Sequence, residues 1–261
     1  MEGEQEIRYA TPYLPITLSP NLPIEVVFEV QHERCITMPA PLATIIIPQY
    51  MHLDLTRQCL RTLRECDPVL WPVIVVDDGS SEEALRAAGL DAFPQVTLIR
   101  QSHRGVTAAW NLGWPAVTTP RVIFLNNDVV SHGPWVEQLV QPLIDGEAQM
   151  TGVCLRQEQL LPHAILERFP MPQFLEGWCF AMRTTTLRIH NGFDSDLLTY
   201  WSDTDLQLRL MLSRLSPQPL LAIPDLPLDH LGHATAHDPH CLPRQRDRWR
   251  ADRRRFIDKW K

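Results

Sequence analysis

The sequence predicts an α/β fold, a mostly parallel sheet flanked by helices, and three observations carry that prediction. Short, continuous apolar runs recur at 43–47, 73–76, 96–99 and 122–125; runs of this kind suit strands covered on both faces. Stretches with helical character lie between them, at 53–66, 81–88 and 105–118, and alternation of strand and helix is the mark of a sheet wound with crossover helices. Two of the strands also end in acid: the second runs into Asp77-Asp78-Gly79-Ser80 and the fourth into Asn126-Asn127-Asp128. In open α/β sheets ligands bind outside the carboxyl ends of the strands, so two such ends point to one polar cleft.

Residues 1–40 read as an N-terminal extension, with β-prone runs at 16–18 and 26–30 broken by Pro12, Pro15, Pro20 and Pro23. Edge strands or an extended arm fit that pattern. Pro39-Ala40-Pro41 marks the boundary, after which a domain over 41–240 divides into a ligand-binding half (41–130) and a less regular half (131–240). Leu53, Leu60 and Leu63 recur at near-helical spacing in the first helix. In the second half, Ser202-Asp203-Thr204-Asp205 opens an amphipathic helix bearing Leu206 and Leu210. Asp229-His230-Leu231-Gly232-His233 follows, and a basic helix over 244–260 within the terminal segment 241–261 closes the chain.

The chain has 261 residues, 44% hydrophobic and 21% charged, which excludes a disordered, collagen-like or coiled-coil protein. Its 23 prolines against 11 glycines indicate stiff loops rather than flexible linkers. The net charge of −7 is uneven: residues 242–261 carry +6, leaving −13 on the rest. That balance argues against a general nucleic-acid coat protein. The six cysteines (35, 59, 66, 154, 179, 241) show no zinc-type spacing and read as reduced thiols of a cytoplasmic protein. No apolar run reaches the ~20 residues of a membrane span, so contact with a membrane is at most peripheral.

Two of the motifs also have a purely structural reading. Asp78-Gly79-Ser80 has the composition of a turn followed by a helix cap, and Ser202-x-x-Asp205 that of a capping box. The second leaves Asp203 free, at a helix N-terminus that favours a carboxylate anion. Trp178 and Trp201 suit either core packing or stacking on a sugar ring.

The order of the motifs is the more specific signal. Ile45-Ile46-Ile47-Pro48-Gln49-Tyr50, Asp77-Asp78-Gly79-Ser80, His103-Arg104-Gly105 with Asn111-Leu112-Gly113, Asn126-Asn127-Asp128, Gly192-Phe193-Asp194, Ser202-Asp203-Thr204-Asp205 and finally His230 follow one another as in glycosyltransferase family 2. The chain resembles that family, with its GT-A fold, over roughly 42–260. The resemblance implies an inverting transferase that moves a sugar from a nucleotide-diphosphate sugar (UDP-, dTDP- or GDP-linked) to a carbohydrate or lipid-linked acceptor. The basic tail keeps a hydroxylated base in nucleic acid open as an acceptor.

By the same resemblance, Pro48, Tyr50, Asp77, Asp78, Arg104, Asn111, Asn126 and Asn127 bind the donor. Asp128 and His230, with His233 as competitor, hold Mn²⁺ or Mg²⁺ at the diphosphate. Asp203 is the general base, and Glu176, Trp178, Trp201 and Asp205 line the acceptor side. With one base and no second nucleophile, direct displacement inverts the sugar. Asn126 and Ser202 stand where the family carries acids, which loosens the metal and supports a rival reading as a binding domain without turnover. A nucleotidyltransferase would need a glycine-rich loop after the first strand, and Pro48-Gln49-Tyr50-Met51 is not one.

Overall fold

The computed structural model describes residues 40–158, 161–213, 216, 218–232 and 242–261, with side chains from 245 onward in the last stretch. The expected N-terminal extension, apart from Ala40, and His233 lie outside the described residues.

In chain order the elements are β1 (Ala43–Gln49), α1 (Leu53–Cys66), β2 (Val73–Asp77), α2 (Glu82–Ala88), β3 (Val96–Arg100), α3 (Val106–Gly113), β4 (Arg121–Leu125) and β5 (Val129–Ser131). They continue with α4 (Val136–Asp145), β6 (Met150–Gly152), β7 (Leu155–Gln157), α5 (His163–Arg168), β8 (Gln173–Leu175), β9 (Cys179–Arg183) and α6 (Thr184–Ile189). The last are α7 (Ser202–Ser213), β10 (Leu220–Ala222), β11 (Leu228–His230) and α8 (Leu242–Trp260).

One seven-stranded sheet, ordered β10-β6-β9-β4-β1-β2-β3, spans both halves of the chain. β9 alone runs against its neighbours, pairing antiparallel with β4 (Leu125 opposite Cys179) and with β6, so the sheet is mostly parallel. All residues of β2 and nearly all of β1 are buried, as both-face coverage demands. Ile45, Val75 and Leu139 belong to a core on one face of the sheet; Ile46, Trp110, Phe124 and Phe180 belong to the core on the other. Gly113 is where α3 meets the sheet most closely, since a Cβ there would sit 2.9 Å from Val76 and 3.1 Å from Ile46.

The sequence predicts a helix over 105–118, but α3 stops at Gly113 and a single 3₁₀ turn, Trp114–Ala116, follows. Pro115 explains this, because proline has no N–H to donate to the carbonyl one helical turn back. The terminal helix is present and packs on the sheet domain. Phe256 is fully buried among Trp201, Phe174 and Leu208, worth about 2–3 kcal/mol of apolar burial. The buried Asp252 accepts hydrogen bonds from Thr199 N–H (2.9 Å) and Tyr200 N–H (3.0 Å). Among the described residues no helix is long and apolar enough to cross a membrane.

Candidate active site

The carboxyl ends of β1, β2 and β4 open into a cleft of about 550 Å³. Pro48, Tyr50, Asp78, Asn126, Asn127, Asp128, Glu176, Trp178, Trp201, Asp203 and His230 all line it. It therefore gathers residues from Pro48 to Trp249, far apart in the sequence.

At the β1–β2 end Asp78 organises the wall. Its carboxylate, 3% exposed, accepts from Gln101 Nε2 (2.7 Å) and Arg104 N–H (2.7 Å) on one oxygen. The other oxygen takes Gly105 N–H (2.8 Å) and His103 Nδ1 (2.8 Å). Four donors use the acceptor capacity of a carboxylate, so Asp78 fixes the 101–105 loop. Asp78, expected on the donor side, lines the cleft with its carboxylate already engaged by these four donors. What it fixes is His103, whose ring stacks on Tyr50 at 3.9 Å and covers one face of the tyrosine. His103 Nε2 accepts from Arg248 of α8 at 3.1 Å, and Arg248 forms no ion pair among the described residues.

At the end of β4, strand pairing sets the second group. β11 pairs antiparallel with β5, placing His230 opposite Val129, and Leu231 N–H donates to Asp128 C=O at 3.0 Å. His230 Nε2 consequently lies 3.2 Å from Asp128 Oδ1, both side chains largely buried. The imidazole also stacks on Trp178 at 4.9 Å, covering one face of that indole. Asn127 lines the cleft, but its amide donates to Gln49 Oε1 and Thr56 Oγ1, both at 3.0 Å, tying the β4 exit to β1 and α1.

Asp203 stands near the start of α7 with its side chain 15% exposed, and burial raises its carboxyl above the ordinary carboxylate range. Arg156 Nη2 opposes that rise from 3.9 Å, while Arg156 Nη1 is paired with Glu158 at 2.8 Å. Gly177 makes room for Asp203: a Cβ at that position would lie 2.7 Å from Asp203 Oδ2. Glu176 accepts from Trp178 Nε1 (2.8 Å) and from Cys154 Sγ (3.2 Å), which orients the indole.

Five expectations change. Asp77 is fully buried and accepts from the N–H groups of Gly79 (3.4 Å) and Ser80 (3.1 Å), so it closes the turn and does not line the cleft. Arg104 also lies off the cleft wall, contributing its backbone N–H to Asp78. Asn111 is a strut to Phe193, donating to its C=O and accepting from its N–H. Asp205 is fully buried and paired with Arg209 (2.9 Å), Lys259 (2.7 Å) and Trp260 Nε1 (2.9 Å); it anchors α8 and does not line the cleft. Trp201 borders the cleft, but at 6% exposed its ring packs on Phe256 and Trp249.

The capping box does not form either. Trp201, at φ 70°, supplies the carbonyl that takes Asp205 N–H at 2.8 Å, and Ser202 Oγ accepts from Thr107 Oγ1 instead. Sequence reasoning missed Arg156, Glu158, Gln245, Arg248 and Trp249, all of which line the cleft. The cation-rich tail was the available signal for the last three.

The model of the family described as "Glycosyl transferase family 2" matches residues 44–185, more than half of the chain. A pre-mycofactocin glycosyltransferase of Mycobacterium tuberculosis (strain CDC 1551 / Oshkosh) is 26% identical over 193 residues, covering 64% of this chain and 38% of that protein. The uncharacterized glycosyltransferase YibD of Escherichia coli (strain K12) is 26% identical over 106 residues, 40% of this chain and 31% of that one. The chain thus spans well under half the length of these curated relatives. Among solved structures, the mannosyltransferase PcManGT from Pyrobaculum calidifontis, in complex with GDP-Man and Mn²⁺, superposes with a TM-score of 0.59 at 18% identity, covering 79% of this chain and 61% of that one. At that identity the likeness concerns the fold, the GT-A arrangement. With its cleft at the strand ends and a family match over most of the sheet, the chain belongs to glycosyltransferase family 2.

Proposed function

We propose that the chain transfers a sugar from a nucleotide-diphosphate sugar to an acceptor hydroxyl, with inversion at the anomeric carbon. One observation carries this reading: a single cleft holds a carboxylate–imidazole pair, Asp128 and His230, and a buried carboxylate of raised pKa, Asp203.

Asp203 accepts the proton of the acceptor hydroxyl as its oxygen bonds to the anomeric carbon, and the sugar–phosphate bond breaks with its electron pair leaving on the diphosphate. Burial raises the proton affinity of Asp203 for that task, and the charge of Arg156 opposes the rise. Arg248, whose partner is the His103 ring, offers an unneutralised cation to the diphosphate. Tyr50 and Pro48 border the nucleobase. Trp178, oriented by Glu176, faces the acceptor side.

A divalent cation fits the donor chemistry of Asp128 and His230, since an oxygen and an imidazole nitrogen suit Mn²⁺, and Mg²⁺ less well. Among the described residues no group of three or more His, Cys, Asp or Glu could hold the ion alone, so the diphosphate and water would complete its shell. When bound, it supplies charge neutralisation at the leaving group. The Mn²⁺ and GDP-Man of the Pyrobaculum structure support this choice. The acceptor is a glycan or lipid-linked glycan in the cytoplasm, met by a protein that is at most peripheral to a membrane.

The test is nucleotide release from UDP-, dTDP- and GDP-sugars with Mn²⁺ or EDTA. Release from one donor, stimulated by Mn²⁺ and lost in Asp128→Ala, is the expected result. Tight binding of a donor without release, even with glycan acceptors supplied, would leave a binding domain that does not turn over.

A further inference from the structure

Trp249 lines two depressions. One is the cleft described above; the other is a groove of about 330 Å³ along α8, lined also by Arg250, Arg253, Arg254, Ile257, Asp258 and Lys261. Several cations of α8 are paired with acids: Lys259 with Asp194 and Asp205, Arg255 with Asp252, and, within the groove, Lys261 with Asp258. The guanidinium groups of the groove are not neutralised in this way. Arg253 and Arg254 form no ion pair among the described residues. Arg250 reaches Asp247 at 3.9 Å with both side chains more than 70% exposed, a pairing worth little. Arg253 lies over the Trp249 ring at 5.9 Å, and its buried Nε has no hydrogen-bond partner among the described residues. Outside residues 242–261 the chain carries −13, so an anion is repelled elsewhere and drawn to this strip.

We propose that this groove binds an anionic stretch of the carbohydrate acceptor, bearing phosphate or carboxylate, whose reactive end passes over Trp249 into the cleft. The proposal rests on the transferase reading above and narrows its acceptor class. A half-exposed indole offers a platform for a sugar ring, and guanidinium forks match phosphate and carboxylate oxygens. The groove shares Trp249 with the cleft, which suits a chain passing from one to the other. A lipid surface would need inserted apolar side chains, and the groove provides only Trp249 and the half-buried Ile257.

The experiment uses the full chain and four probes: a heparin octasaccharide, a neutral dextran octasaccharide, inorganic polyphosphate of matched charge, and phosphatidylglycerol–phosphatidylcholine vesicles. A second arm measures nucleoside diphosphate binding. The octasaccharide from heparin should bind most tightly, with affinity falling as salt rises. The triple variant Arg250→Gln, Arg254→Gln, Lys261→Gln, confined to exposed side chains, should weaken it about tenfold or more and leave nucleotide affinity unchanged. Equal affinity in wild type and variant, or binding of polyphosphate or vesicles as tight as that of the saccharide, would overturn the proposal. Absence of nucleotide binding in the wild type would instead remove the donor site, and with it the acceptor role of the groove.

Discussion

Gly177 sets the position of Asp203, the proposed base, and replacing it is a sensitive probe of the proposed mechanism. A Cβ at residue 177 would lie 2.7 Å from Asp203 Oδ2 and 3.2 Å from its Cγ. Carbon–oxygen contacts of this kind settle at about 3.3 Å or beyond, so the carboxylate must retreat by roughly 0.6 Å. Gly177 has no left-handed backbone geometry, which means Gly177→Ala strains the contact and not the main chain. Misplacing a reacting group by ~1 Å costs up to about 100-fold in rate, so kcat should fall roughly 10- to 100-fold. The donor KM should stay within about twofold and the loss of stability near 1 kcal/mol. Initial rates of nucleotide release, read beside thermal melts, measure each part. An unchanged kcat in a folded variant would refute the role of Asp203, or the role of Gly177 in seating it.

Three further outcomes follow from the same geometry. Asp203→Asn should lower kcat by about 10²–10⁴ and yet melt at a higher temperature at pH 7. Burial raises the folded-state pKa of Asp203 above its unfolded value, so ionising it opposes folding at neutral pH, and the advantage of the variant should vanish in acid. For the same reason wild-type kcat should fall on acidification through a pH above the ordinary carboxylate range; a flat profile there would count against this base. Asp205→Asn should cost about 3 kcal/mol by leaving Arg209 and Lys259 without their buried partner, with no change in acceptor KM for the folded fraction. Asp78→Ala strips four donors of their acceptor and should cost about 2–4 kcal/mol while weakening nucleotide binding through His103 and Tyr50, as denaturation and calorimetry would show.

Most of the sheet was legible because its strands are buried on both faces and so nearly continuous in apolar residues; β1, β2 and β4 follow their apolar runs closely. β6, β9 and β10 were not, since three-residue strands and one antiparallel insertion leave little periodic trace. Asp128, His230 and Asp203 were legible from motif order, and strand and helix geometry do place them around one cleft. Asp77 and Asn111, which do not line the cleft, show the limit of motifs. The residue types that bind a ligand at a strand end also close turns by accepting backbone N–H groups, and only the hydrogen-bond partners separate the two uses. Asp205 shows the same limit, one helical position in a motif serving the fold while its neighbour Asp203 faces the cleft. Arg248 and Trp249 belong to a helix whose docking depends on Phe256, Asp252 and Trp260 meeting distant partners, contacts that no local pattern encodes.

The division of the cleft into a leaving-group end and a base end is tested most directly by calorimetry. Nucleoside diphosphate binding would be measured with and without Mn²⁺ for wild type, Asp128→Ala and Asp203→Asn. Mn²⁺ should strengthen binding in wild type, this coupling should be lost in Asp128→Ala, and binding should survive in Asp203→Asn although turnover is gone. Binding indifferent to Mn²⁺ and to Asp128, or lost equally in both variants, would contradict that division.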